Sequence, residues 1–104
     1  MASVAAKMKL FKGFEEEYKK RHDEIWPELV ILLKETGVSN YHIYLDKETN
    51  SLFAIMEAAD PSILRNLPSS PVMQRWWAYM KDIMESNADN SPIVFPLEEV
   101  FYLP

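Results

Sequence analysis

The chain has 104 residues, 48% hydrophobic and 12% aromatic, which is enough for one core and places it in the size range of a single domain spanning 1–104. Sixteen Asp and Glu against eleven Lys and Arg give a net charge of -5, and no basic stripe with interleaved aromatics occurs, so nucleic acid is excluded as a natural partner. Cysteine is absent, which removes disulfides, thiolate nucleophiles and cysteine zinc sites, and no apolar run exceeds five residues, far short of the roughly 18 that a membrane span needs.

The opening "MASVAAKMKL" lacks the apolar core of a signal peptide, so the expectation is a soluble, cytoplasmic chain with no membrane partner. "SVAAKMKLF" alternates, with Val4, Ala6, Met8 and Leu10 on one side, and predicts a first strand. "KGFEEEYKKRHDEIWPELVILLKETG" has helical spacing through Phe14, Tyr18, His22, Ile25 and Trp26, then through Leu29, Leu32 and Leu33. Pro27 cannot donate to the carbonyl four residues back, so the spacing predicts a kink or two abutting segments, ending at Gly37.

"SNYHIYLDKETNSLFAIMEA" predicts a hairpin around the polar turn "DKETN". Its first arm puts Tyr41, Ile43 and Leu45 on one side and His42, Tyr44 and Asp46 on the other. Its second arm, "LFAIM" at 52–56, is apolar on both faces. Such a strand is buried on both sides, and because this chain has helices for one face only, the other is expected to meet a second subunit. Pro61 opens a short helix, Pro68 to Pro71 is a break, and Val72 to Met84 repeats helically. After the turn-rich "NADNSP", the tail "IVFPLEEVFYLP" predicts a last strand, with Pro96 at an edge or bulge. The order β, α, β, β, α, β predicts an α+β, ferredoxin-like subunit, its antiparallel sheet carrying both helices on one face.

For chemistry, the sequence offers no Gly-rich phosphate loop, no HExxH, no nucleophile elbow, and no second histidine at ligand spacing from His22, so neither a metal nor a cofactor is expected. Acid–base chemistry remains. Histidine titrates near neutral pH, and Tyr18 and His22, four apart, project side by side towards one ligand. The same pair also fits a satisfied histidine at a helix end. Tyr41 is expected on the helix side of the sheet, either at a ligand or bonded to backbone, and His42 points the opposite way. Trp76 and Trp77 diverge by about 100° on a helix, so one of them lines a cleft or flank, where a flat apolar face with an N–H donor suits a sugar ring. A core or dimer-interface role fits them too.

The segments "YKKRHDEIWPEL", "YHIYLDKETNSLFA", "QRWWAYM", "DNSP" and "EEVFYLP" resemble, in order and spacing, the signature segments of the L-rhamnose mutarotases, from Tyr18 to Pro104. The first strand and "DPSILRNLPSSP" match less distinctively. The resemblance implies a homodimer built as a dimeric α/β barrel, and interconversion of the α and β anomers of the monosaccharide L-rhamnose without metal or cofactor. It implies His22 as the catalytic proton donor and Tyr18, Tyr41, Trp76 and Trp77 as substrate contacts. The base acting on the anomeric hydroxyl stays open between water, a tyrosine and Asp46. Two other readings stand beside it: a cofactor-free monooxygenase of the same barrel superfamily, and a non-catalytic dimeric sugar-binding module.

Overall fold

A computed structural model describes residues 2–104. Strand β1 (Ala2–Lys9) leads to helices α1 (Glu15–Asp23) and α2 (Pro27–Glu35), and then to the hairpin of β2 (Val38–Asp46) and β3 (Ser51–Ala58). A 3-10 helix over Pro61–Ser69, helix α3 (Pro71–Met80) and a two-residue strand β4 (Phe95–Pro96) follow. The sheet order is β2-β3-β1-β4 with antiparallel pairings throughout, the ferredoxin-like topology that the element order predicts.

Pro27 splits the first helical region as expected. Trp26 adopts an extended conformation at the N-cap of α2, and Pro27 takes a first-turn position, where a missing N–H costs nothing. Gly37 ends the segment at φ +91, and a Cβ there would lie 3.1 Å from that of Ala59, so both the backbone sign and the space require glycine.

One face of the sheet carries the core. Met8, Leu52 and Ala54 pack with Leu10, Leu29, Trp76, Met80, Ile83 and Met84 under the helices. Leu29, Leu52 and Ile83 are fully buried, and each such burial contributes about 1.5–3 kcal/mol relative to exposure. α3 stops at Met80, four residues short of the helical repeat. The Phe11 amide donates to the Ile83 carbonyl and the Glu85 amide to that of Lys9, so residues 83–85 leave the helix to extend the edge of β1.

β2 contains a bulge. Ser39 pairs with Glu57, but His42 pairs with Ile55, so Asn40 and Tyr41 share one partner position. Asn40 supplies the turn with φ 48 and ties its side-chain amide to Glu57 at 2.7 Å. The extra residue lets Val38 and Ile43, five apart, both face the helices.

Candidate active site

α1 delivers two polar groups to one cleft. The Tyr18 and His22 rings stack with centroids 4.3 Å apart, and His22 Nδ1 lies 3.1 Å from the Tyr18 carbonyl oxygen. A carbonyl only accepts, so Nδ1 carries a hydrogen and Nε2 is left as the exchangeable position. From α3, Trp76 meets the imidazole edge-on at 5.4 Å. From the bulged strand, Tyr41 enters on the opposite wall. The cleft encloses about 1090 Å³, at the upper end of the range for small-molecule sites, with Tyr18, His22, Tyr41 and Trp76 all in its lining. Leu29, Leu33, Ile43 and Leu45 form its apolar floor, and Glu15, Lys19, Asp23 and Lys47 stand at its rim.

Trp77 is not in that lining. It is half-buried against the core, as the 100° divergence of neighbouring helical residues demands once Trp76 takes the cleft. His42 lies on the far face of the sheet, stacked at 6.0 Å on Tyr44. Asp46 serves the hairpin turn, accepting from the Glu48 amide and the Thr49 hydroxyl at 3.0 Å each, and is not among the residues that line the cleft.

Burial sets the proton chemistry. Removal from water lowers the His22 pKa below the ordinary histidine value, against weaker opposing effects of the Tyr18 backbone and Asp23, so the neutral imidazole is the resting form. Tyr18 is raised well above an ordinary phenol, first by desolvation and then by Tyr41, whose phenolate would repel its own. Tyr41 is also raised by desolvation: the residue keeps 39% of its surface exposed, but its hydroxyl end sits among cleft atoms. Both phenols therefore remain donors. Among the described residues neither hydroxyl has a protein hydrogen-bond partner, which leaves both free for a ligand.

Two aromatic residues outside the cleft lining back Trp76. Trp26 meets Trp76 edge-on at 5.1 Å, and Tyr79 stacks on Trp26 at 5.7 Å. Trp26 sits one helical step beyond His22 on the same stripe, a signal available in the sequence. Among the described residues no group of three His, Cys, Asp or Glu side chains is arranged to hold a metal ion.

The L-rhamnose mutarotase family model matches residues 3–103. The chain belongs to this family. It is 59% identical over 100 residues to an L-rhamnose mutarotase of Agrobacterium fabrum, covering 96% of this chain and 94% of the relative. It is 54% identical over 103 residues to one of Sinorhizobium fredii, covering 99% of each. The crystal structure of an L-rhamnose mutarotase from Formosa agariphila superposes with a TM-score of 0.93 at 48% identity over the full length of both chains. An antibiotic biosynthesis monooxygenase shares the fold at 15% identity and a TM-score of 0.52, covering 96% of this chain and 99% of its own. At that distance only the fold is common, so the monooxygenase reading gains nothing beyond architecture.

Proposed function

We propose that this chain, an isomerase by family, interconverts the anomers of L-rhamnose in the α1–α3 cleft, with His22 as the proton-exchanging residue. The observation that carries the proposal is the placement of the His22 imidazole: half-buried, oriented by the Tyr18 carbonyl, and lining an open cleft walled by Trp76. Ring opening removes the proton of the anomeric hydroxyl, forms the C1 carbonyl and breaks the bond from C1 to the ring oxygen, which takes up a proton. The neutral resting imidazole supports His22 Nε2 as acceptor of the first proton, with solvent in the cleft supplying the second. After rotation about C1–C2 the hydroxyl formed from the ring oxygen adds to the other carbonyl face and gives its proton back to solvent, while the imidazolium returns its proton to the new anomeric oxygen. His22 is thus base first and donor second, whereas sequence reasoning expects donation at the outset. Tyr18 and Tyr41 donate hydrogen bonds to sugar oxygens. Trp76 and the leucine floor give the 6-deoxy methyl an apolar seat.

Positioned acid–base catalysis contributes about 10²- to 10⁴-fold, enough for a reaction that already proceeds in water. Saturation-transfer NMR of L-rhamnose anomer exchange with wild type and His22→Ala tests the role. A loss on the order of 10²-fold or more is expected; a folded variant with undiminished exchange removes His22 from the mechanism.

The proposal includes a homodimer. The sheet face away from the helices carries Tyr44, Ile55 and Phe95 at 58%, 41% and 51% exposure, an apolar surface that none of the described residues covers with a further layer. Two copies packed sheet to sheet would cover it. A cytoplasmic location is also part of the proposal: no described helix is long and apolar enough to cross a membrane, and a chain without cysteine suits a reducing compartment.

A further inference from the structure

α1 carries Tyr18 and His22, yet Tyr18 is its one buried residue, and its backbone makes little close approach to the other helices and strands. Side chains must therefore decide where the helix sits, and with it the imidazole. Arg21 is the strongest such attachment. Its side chain is only 10% exposed, and its guanidinium donates to both Asp82 oxygens at 2.9 and 3.2 Å, to Glu17 at 2.7 Å and to the Tyr79 carbonyl at 2.7 Å. It also lies 4.3 Å above the centre of the Tyr79 ring.

These contacts close a circuit. Arg21 covers Tyr79, Tyr79 stacks on Trp26, Trp26 meets Trp76 edge-on, and Trp76 meets His22, the residue next to Arg21. α1 and α3 are thus joined twice, once through an ion-paired planar cation on the outside and once through the imidazole–indole contact in the cleft. A planar, five-donor guanidinium can satisfy two carboxylates and a carbonyl while stacking on a ring; an ammonium cannot do all of these together.

We propose that Arg21 is a positioning residue for the mutarotase site, fixing the aromatic chain Tyr79–Trp26–Trp76 and the α1 backbone so that His22 faces the sugar in one orientation. The proposal rests on the reading of His22 given above. It predicts that the shape and hydrogen-bond fork of arginine matter, beyond its charge.

The test compares wild type with Arg21→Lys, Arg21→Gln and Tyr79→Leu. The readouts are L-rhamnose exchange at saturating and subsaturating sugar, the His22 ring-proton resonances, and Tm. Arg21→Lys is expected to lower kcat on the order of tenfold with a smaller change in KM, because a small misplacement of a reacting group costs rate. Its His22 resonances should move, since ring currents depend on the angle to Trp76. Arg21→Gln should behave like the lysine variant or worse. Tyr79→Leu keeps the ion pairs but removes the plate, and as an exposed position it decides the matter if the arginine variants do not fold. An Arg21 that merely stabilises the fold would lower Tm while leaving the rate of the folded protein and the His22 resonances at wild-type values; that outcome, or full rescue by lysine, overturns the proposal. If wild type itself fails to accelerate exchange, the mutarotase reading falls, while the His22 resonances still report on Arg21.

Discussion

The His22 imidazole lies against the Tyr18 phenol one helical turn before it, planes inclined by 29°, so the two groups enter the cleft as one unit. The Tyr18 ring supports the imidazole, and among the described residues its hydroxyl has no protein partner to lose. Tyr18→Phe should therefore retain the fold and the His22 orientation, with Tm unchanged or slightly raised. It gives up one hydrogen bond to the sugar, about 0.5–1.5 kcal/mol, or roughly two- to twelvefold in KM. Thermal unfolding beside exchange kinetics checks this. A loss of several degrees in Tm would mean that the hydroxyl is structural.

The depressed pKa of His22 fixes the direction of the pH dependence. Catalysis that begins with a neutral imidazole rises with pH through the folded-state pKa and levels off above it, so the inflection should lie below the ordinary value of 6.5. Stability follows the same sign. Between the folded pKa and 6.5 the unfolded chain binds more protons at this residue than the folded one, so stability falls as the solution is acidified through that window and is independent of His22 above it. Exchange rates measured from about pH 5 to 8 decide the point. A rate that falls with rising pH would make the imidazolium the resting donor and reverse the order of proton transfers.

Tyr41 sits in the bulge beside Asn40, so the backbone there sets how it enters the cleft, which predicts an unusual tolerance at Asn40. Glycine adopts its positive φ freely, so Asn40→Gly should keep exchange close to wild type and lose only an exposed hydrogen bond to Glu57. A β-branched side chain is strained there by about 1–3 kcal/mol. Asn40→Val either stores that strain or straightens the strand, which shifts the Tyr41 backbone and turns Val38 away from the helices. It should lower both stability and sugar affinity, as read by denaturant unfolding and KM. Wild-type values for the valine variant would disconnect the bulge from the site.

Residues whose placement follows local periodicity were readable in advance: the Tyr18–His22 pair, the break at Pro27, the hairpin turn, and the divergence of Trp76 from Trp77. What the sequence hid depends on distant partners. Regular alternation puts Tyr41 with Ile43 and Leu45 but gives no sign of the bulge that also turns Val38 inward, because Asn40 reads there as an ordinary polar residue. Helical spacing runs through Ile83, and only the pairing of residues 83–85 with the end of β1 stops α3 at Met80. The final strand shrinks to Phe95–Pro96, with one further backbone bond from the Leu97 amide to the Ala5 carbonyl. Arg21 reads as one charge on a solvated face until Asp82, 61 residues away, is folded against it.

The uncovered sheet face makes the last prediction. Ile55 projects from the middle of β3, where its neighbours Tyr44 and Phe53 extend the apolar surface on the side opposite the cleft. In a sheet-to-sheet homodimer Ile55 is central, and a carboxylate placed there must be desolvated without a partner, costing at least several kcal/mol of association. In a monomer the same carboxylate reaches water at little cost. Ile55→Glu should therefore convert a dimer of about twice the chain mass to monomer by light scattering, while each chain keeps its helical and strand content. A wild-type protein that is monomeric at micromolar concentration, or an Ile55→Glu variant that stays dimeric, would remove this face as the interface and leave its exposed aromatic residues to be explained otherwise.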